Sequence, residues 1–275
     1  MSNYLKRFLV LAMLIMFGLI MIFPFYWNIA ASFMPVWEMF RSPPSLIPRI
    51  FTLENFMRIR VHFPNLPRNI LNSLFLASVM PLLGAFITSL AGFAFAKYDF
   101  IGRRVLFSLI IATMMLPTIV NFIPLFILMV RFGLVDNYLA IILPGIAGAF
   151  GVFLFRQAIF GVPDEMIDAA RIDGANDFKV YYMIILPLVR PMLMTIIIIN
   201  FIGVLNDYFW PFIILRTAAR LTFPVVLAGL QGLFFDPPWG AIMVGSVILT
   251  LPTIVIFSAL SKYIIPDIMG GAVKG

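Results

Sequence analysis

Residues 105–130 read VLFSLIIATMMLPTIVNFIPLFILMV, a stretch without a single charged side chain. About 20 apolar residues are enough for a helix to cross the hydrocarbon core of a bilayer. The composition of the whole chain agrees, since 63% of its 275 residues are hydrophobic, only 11% are charged, and the mean hydropathy is +1.07. A soluble core cannot absorb this much apolar surface. The stretch therefore predicts a membrane-spanning helix in an integral membrane protein.

Similar apolar stretches lie on both sides of this one. We predict six spans, at 8–33, 70–96, 105–130, 139–160, 191–215 and 241–265. The first follows Lys6 and Arg7 and resembles a secretion signal. It exceeds the roughly 7–15 apolar residues of such a signal and lacks a small-residue cleavage site, so we interpret it as a retained span. The predicted fold is all-α, with residues 1–275 forming one transmembrane domain.

Four prolines in the predicted spans follow Leu or Ile: Pro117, Pro124, Pro144 and Pro252. Proline lacks a backbone donor and kinks a helix. In a bilayer, neighbouring helices must then satisfy the freed carbonyl groups. The sequence thus predicts a bundle with kinked spans.

The residue inventory excludes several kinds of site. There is no cysteine, which rules out disulfides and thiolate metal sites, and His62 is the only histidine. The net charge of +7 is scattered, which is typical of topology signals and lipid contacts rather than of nucleic-acid binding. No Gly-Lys dipeptide exists, so the chain has no P-loop of its own. We expect no catalytic residue, no metal and no cofactor bound by this chain.

The basic residues indicate an orientation. Six spans place both termini on one side, and if that side is cytoplasmic it holds five lysines and six arginines against eight arginines outside. This follows the excess of positive charge in cytoplasmic loops. Five of the outer arginines fall in segment 34–68, where residues 52–60 predict a short surface helix. We expect a multi-pass protein of the plasma or inner membrane with both termini in the cytoplasm.

The longest loop on the cytoplasmic side, 161–190, has the pattern of a helix–turn–helix. Pro163 and the acidic residues after it favour a helix start. Gly174 is placed to end that helix in a left-handed conformation. A second helix is expected to begin near Asp177 and to end at Pro187.

Within this loop, residues 168–177 read DAARIDGAND. The small side chains of Ala169 and Ala170 let a helix come close to a partner, and the flanking charges of Asp168 and Arg171 fix its orientation through charged hydrogen bonds. The alternative is an ordinary solvated loop with one stray helical turn.

The spacing of this segment resembles a known motif. Asp168-Ala169-Ala170, then three residues and Gly174, then nine residues and Ile184, then one residue and Leu186-Pro187, matches the EAA motif of ABC importer permeases. The chain departs from the motif at Asp168, where glutamate is usual, so the charge is kept on a shorter arm. The stretches TLENF at 52–56, NDYFWPF at 206–212 and GGAVKG at 270–275 are similar to the carbohydrate-uptake branch, within it to maltose-permease-G-like subunits.

The resemblance implies a role for the loop and for the C-terminal tail. In that family the loop forms a coupling helix that docks on a cytoplasmic ATPase subunit, which implies the same for residues 164–175. The residues it assigns to coupling are Glu165, Asp168, Ala169, Ala170, Arg171, Asp173, Gly174, Leu186 and Pro187, and those it assigns to a tail contact are Gly270, Gly271 and Lys274. The alternative for the tail is a frayed, glycine-rich end. The tail also departs from the family pattern at residues 265–269.

The resemblance also implies partners: a second permease subunit, two ATPase subunits that hold ATP and magnesium, and an extracytoplasmic solute-binding protein. Polar and aromatic side chains near the spans are candidates for the substrate cavity: Asn121, Asn200, Asn206, Asp207, Tyr208 and Trp210. If span five is one helix, Asp207 lies ~24 Å along it. Alternatively, Asn206 and Asp207 satisfy a kinked helix end, and the aromatic residues belong to an interfacial belt.

The function that fits best is the permease subunit of an ABC importer that moves a sugar or oligosaccharide by alternating access. An importer for another solute, such as a polyol or glycerol phosphate, stays open. An ATP-independent carrier is disfavoured because intramembrane ionisable groups are nearly absent. A membrane enzyme is disfavoured because no cluster of catalytic or metal-binding residues is present.

Overall fold

The regular structure of this chain is helical. A computed structural model describes residues 3–232 and 237–260, and no strand occurs within these two ranges. The helices are α1 (Asn3–Ser32), α2 (Val36–Met39), α3 (Glu54–His62), α4 (Leu66–Lys97), α5 (Arg103–Thr113), α6 (Phe122–Arg131), α7 (Leu139–Gly145), α8 (Ala149–Phe160), α9 (Asp164–Ile172), α10 (Asp177–Val180), α11 (Leu186–Leu188), α12 (Arg190–Leu205), α13 (Phe209–Ile214), α14 (Phe223–Gly232) and α15 (Trp239–Leu260). The predicted all-α class is confirmed.

Four stretches of the described chain are long and apolar enough to cross a membrane, and two bent helix pairs raise the number to as many as six. The four are Tyr4–Ser32, Leu66–Lys97, Leu139–Phe160 and Trp239–Leu260. They correspond to predicted spans one, two, four and six. Residues 261–265, the end of the sixth predicted span, lie outside the described residues.

The third predicted span is not one straight helix. Arg103–Thr113 and Thr118–Arg131 meet at an angle of 99°, with a 3-10 turn at Thr118–Asn121 after the break. Pro117 lies at this break, where its missing N–H and the restricted residue before it end helix α5. By contrast, Pro81 and Pro252 lie inside continuous helices.

The fifth predicted span, 191–215, is also interrupted. Helix α12 ends at Leu205, and α13 begins at Phe209. Asp207 therefore lies in the connection between these two helices and not within one continuous helix. Its carboxylate accepts the backbone N–H groups of Phe209 and Trp210. These donors at the start of a helix have no partner within it, which explains the position of an acidic side chain there.

Helix α14 was not predicted. It occupies the connection before the last span, where residues 222–230 read TFPVVLAGL without a charge. Ten residues rise about 15 Å, which is half of a bilayer core. The stretch is therefore too short to register as a span, although most of its side chains are buried.

The described chain packs as two compact units, and the first contains residues 3–66, 226–232 and 237–251. Its centre is Ala30, Ala31, Met34 and Met39, with Trp239 against them. The surface helix predicted at 52–60 is present as α3, shifted by two residues.

Two buried polar side chains organise the first unit. Asn55 donates to the carbonyls of Ser32 (3.0 Å) and Met34 (2.8 Å). Glu38 is fully buried and accepts the N–H groups of Arg49 (2.7 Å) and Ile50 (3.3 Å). Buried polar groups need such partners, so segment 34–68 is a packed structure rather than a loose loop.

The second unit contains residues 67–225 and 252–260, with two apolar clusters. One surrounds Phe155, Tyr181 and Ile185, and the other surrounds Ile141, Trp210 and Ile214.

A polar clamp ties the loop after α6 to residues 216–220 of the second unit. Asp136 accepts the Thr217 hydroxyl and the N–H groups of Arg216 (2.9 Å) and Thr217 (3.0 Å), and it pairs with Arg220 at 3.2 Å. The Thr217 hydroxyl and these two N–H groups lower the pKa of Asp136 to about 2. Because the carboxylate stays ionised at any physiological pH, the clamp is a permanent tie and not a pH switch.

Candidate functional site

Helix α9 carries the motif-like segment. An ion pair holds its first residue, Asp164. The side chain of Lys97, at the end of α4, is only 6% exposed and lies 2.7 Å from the Asp164 carboxylate. The same ammonium group donates to the Val162 carbonyl. A largely buried ammonium must be paired to offset its lost hydration. Lys97 therefore fixes the point at which the chain leaves α8 and starts α9.

The end of α9 is fixed by its backbone. Gly174 has a φ of +81°, as predicted. The N–H of Ala175 donates to the Ala170 carbonyl (2.9 Å), and that of Gly174 to the Arg171 carbonyl (3.0 Å). These two bonds form a Schellman motif, which satisfies the last carbonyls of a helix.

Arg171 then joins the two arms of the helix–turn–helix. Its guanidinium lies 3.1 Å from Asp177, at the start of α10, and 3.8 Å from Asp168 on its own helix. It also lies 5.7 Å from the centre of the Tyr98 ring. Asn176 caps α10 by accepting the Lys179 N–H at 2.8 Å. The turn is thus held by a charged contact and by a helix cap.

The inner face of α9 packs on the rest of the second unit. Ile167 is buried, and Ala170 is half-buried against the cluster around Tyr181. The Tyr181 hydroxyl and the buried Ser89 hydroxyl of α4 lie 2.6 Å apart. This hydrogen bond and the packing join the second arm to α4, so both arms rest on one spanning helix.

The outer face of α9 is free of the described chain. Ala169 is exposed, Met166 is 43% exposed, Ile172 is 86% exposed, and Phe178 on α10 is 63% exposed. Ala169 is among the coupling residues predicted from the sequence, whereas Ile172 and Phe178 are not. Their signal was two large apolar residues in a segment otherwise rich in charge. An apolar patch within a polar rim is typical of a protein interaction site.

The structure gathers most of the predicted coupling residues at this surface. Glu165, Asp168 and Asp173 are exposed there. Leu186 and Pro187 lie farther along, in α11, after a π-helical turn at Tyr181–Ile185. Leu186 packs on the inner cluster. Gly270, Gly271 and Lys274 of the tail lie outside the described residues.

The cavity candidates fall into two groups. Asn200 lines a cavity of about 60 Å³ beside Gly84 and Gly148, and its amide donates to the Ile196 carbonyl at 2.9 Å. Asn200, Asn121 and Asn206 are all exposed.

The aromatic candidates and Asp207 serve local packing. Trp210 is buried and donates its indole N–H to the Ala140 carbonyl at 3.0 Å. Tyr208 is half-buried and stacks on Phe212 at 5.2 Å. Asp207 caps α13. Across the described ranges, no group of three His, Cys, Asp or Glu side chains is placed to hold a metal ion.

Comparison with protein families gives a match over most of the chain. Residues 84–270 match the family described as binding-protein-dependent transport system inner membrane component.

Two relatives extend the match to nearly the whole chain. The arabinooligosaccharides transport system permease protein AraQ of Halalkalibacterium halodurans is 36% identical over 93% of this chain and 92% of its own length. The trehalose/maltose transport system permease protein MalG of Thermococcus litoralis is 32% identical over 100% of this chain and 99% of its own. Other relatives are named as sn-glycerol-3-phosphate transport system permeases.

A solved structure shares the fold. It is a bacterial ABC transporter involved in the import of the acidic polysaccharide alginate, with a TM-score of 0.84 and 23% identity. The match covers 96% of this chain and 98% of that chain. The two chains therefore share one fold over nearly their whole lengths.

Proposed function

Because this chain belongs to the family of binding-protein-dependent transport system inner membrane components, we propose that α9 transmits the work of an ATPase to its membrane helices. The chain is a multi-pass permease subunit of an ABC importer and not an enzyme. The proposal includes one permease domain of residues 1–275, with six spans and both termini in the cytoplasm. Two ATPase subunits, holding ATP and magnesium, would dock from that side.

The exposed face of α9 is the single observation that carries this proposal. A coupling element must be rigid towards its own chain and open towards its partner. Lys97 and the Schellman turn give α9 its rigidity, and the exposed Ile172 and Ala169 give it a surface that a cleft can receive. A helix held at both ends transmits a rigid-body displacement with little loss.

We expect Ile172→Asp to abolish co-purification of the ATPase with the chain. A buried interface residue that gains an unpaired charge costs far more than its lost contact area. Ile101→Asp is the matched control, because Ile101 is fully exposed in the α4–α5 loop and its substitution makes the same chemical change. Affinity purification from membranes with quantified partners measures both. Equal recovery of the ATPase with both variants would remove α9 as its docking site.

The translocation path is proposed to lie between this chain and a second permease. Polar side chains exposed on a spanning helix avoid lipid and face a protein or a water-filled cavity. Asn200 is exposed on α12, Asn206 is exposed directly after the end of that helix, and Asn121 is exposed near the break in the third span. A solute-binding protein on the extracytoplasmic side would deliver the substrate to this path.

The proposed substrate is a neutral sugar or oligosaccharide. The names of AraQ and MalG support this class, whereas other relatives are named for sn-glycerol-3-phosphate. The candidate residues favour the neutral class. Three of the polar groups are neutral amides, and the only charged one is the carboxylate of Asp207. Such a set hydrogen-bonds hydroxyl groups and offers no cation to a phosphate.

Asn200→Leu is expected to lower uptake of a neutral oligosaccharide roughly three- to tenfold, the effect of one or two lost hydrogen bonds. Thr195→Val is the control, because Thr195 lies on the same helix but is half-buried and does not line the cavity beside Asn200. Uptake is measured in vesicles containing the complete importer and its binding protein. Stimulation of ATP hydrolysis by glycerol phosphate and not by sugars would overturn the substrate class while leaving the coupling proposal intact.

A further inference from the structure

A second polar site lies beside α9, at the same end of the second unit. A cavity of about 780 Å³ opens where α4 ends and α5 begins. Its charged lining residues are Arg103, Arg104, Arg156 and Asp99. Three cations against one anion leave the cavity strongly positive. None of these residues takes part in the coupling surface or in the substrate path described above.

Arg103 and Asp99 satisfy each other. Arg103 forms a short ion pair with Asp99 and donates to the carbonyls of Phe95 (3.0 Å) and Ala96 (3.3 Å), at the end of α4. This arginine therefore closes the helix end and neutralises the only acid in the cavity. The positive charge that remains belongs to Arg104 and Arg156.

Arg156 is held in place but is not neutralised. Its guanidinium lies over the Phe107 ring, 4.3 Å from the ring centre, and its Nε donates to the Phe95 carbonyl at 3.3 Å. Within residues 3–232 and 237–260, its two terminal nitrogens have no acceptor and no carboxylate pairs with it. The same holds for Arg104 in these ranges. The Phe107 ring and the Nε hydrogen bond hold the guanidinium, and its two terminal nitrogens remain as a fork that can bind an oxyanion.

The apolar surface beside the cavity indicates which kind of anion fits it. Helix α5 has no buried residue among the described ones, and Val105 and Leu109 near the cavity are 63% and 58% exposed. A long apolar surface thus leads directly from the pair of arginines. A molecule with a phosphate group and hydrocarbon tails matches both features at once. Basic pockets between spanning helices are known places for such headgroups.

We propose that Arg104 and Arg156 bind the phosphate of an anionic phospholipid, whose acyl chains lie along the exposed side of α5. The fork of Arg156 takes two phosphate oxygens, and Arg104 supplies the second cation. The cavity provides room for a glycerol headgroup, and Ser108 on its wall offers a hydroxyl to it. The site depends on membrane insertion only, whichever solute the importer carries.

Native mass spectrometry of the purified chain, with the subunits that co-purify, tests this site. Phosphatidylglycerol and phosphatidylcholine with the same acyl chains are titrated separately. We expect stronger binding of phosphatidylglycerol, and a loss of about fivefold in this preference for Arg156→Gln and for Arg104→Gln. Arg156→Lys keeps the charge without the planar fork and should retain only part of the preference. Arg131→Gln is the control, because Arg131 is exposed at the end of another helix and the change removes the same charge.

Four outcomes overturn the proposal. Equal binding of the two lipids, or equal losses in Arg131→Gln and Arg156→Gln, would show that the cavity does not select an anionic headgroup. Retention of inorganic phosphate in place of lipid would assign the cavity to a soluble anion. Loss of ATPase recovery in Arg156→Gln with lipid preference unchanged would assign it to a protein contact instead.

Discussion

Gly174→Val is expected to abolish solute transport while the chain still inserts and accumulates in the membrane. Gly174 adopts a φ of +81°, in the left-handed region. This conformation costs an ordinary residue about 1–2 kcal/mol, and a β-branched residue is the least tolerant of it. A Cβ built at Gly174 meets nothing within 4 Å, so the substitution strains the backbone without a steric clash. The effect therefore isolates the turn that joins α9 to α10.

Loss of this turn releases both hydrogen bonds of the Schellman motif. The Arg171–Asp177 contact across the turn is then lost as well. The far end of α9 becomes free to fray, and a frayed helix cannot pass on a displacement. Since 1.4 kcal/mol is a factor of ten in an equilibrium, the equilibrium constant for forming the turn falls about tenfold. Uptake of labelled solute in vesicles measures the loss.

Two variants control this experiment. Gly174→Asn is expected to keep most of the transport, because asparagine tolerates the left-handed region. Gly161→Ala changes a glycine at the other end of the same loop, where the backbone is right-handed and the added Cβ has only an ordinary contact at 3.6 Å. It should transport normally. Normal transport by Gly174→Val itself would mean that the turn does not matter for coupling.

The apolar stretches could be predicted from the sequence, and so could the presence of kinks, but which prolines break a helix could not. An uncharged run such as 105–130 predicts burial in a bilayer because lipid cannot solvate charge. Whether a proline breaks the helix depends on its neighbours in space. Pro81 lies inside α4 and Pro117 at a bend, although both occur in apolar sequence. Helix α14 was not predicted because its ten residues are too few to cross a bilayer.

In the candidate site, too, local features could be predicted from the sequence and contacts between distant residues could not. The start of α9 and the turn at Gly174 follow local rules of helix capping, and the structure has both where they were predicted. The Lys97–Asp164 pair joins residues that are distant in sequence, and no local rule connects them. Trp210 shows the converse. Its aromatic ring made it a cavity candidate, but the fold buries it beside Ala140.

Gly92→Val is expected to destabilise the packing of α4 on α8 more than any other single change proposed for this chain. A Cβ at Gly92 would lie 2.6 Å from the Phe155 Cβ and 2.9 Å from the Arg156 backbone nitrogen. Neither atom can rotate away, because both belong to the helix backbone or are fixed to it. Small residues at such crossings let membrane helices approach closely. Overpacking typically costs about 1–3 kcal/mol, and the branched side chain of valine adds to the clash.

The consequence reaches the coupling surface, because α8 leads directly into α9 and α4 carries Lys97. If the two helices separate, Lys97 moves away from Asp164 and the start of α9 loses the ion pair that holds it. We therefore expect a lower thermal midpoint of the purified chain and weaker recovery of the ATPase, in parallel. Gly84→Ala on the same helix is the control, because its nearest contact would be an ordinary 3.5 Å to the Ile146 carbonyl. A Gly92→Val variant as stable as Gly84→Ala would mean that the two helices are not in contact at this crossing in the membrane.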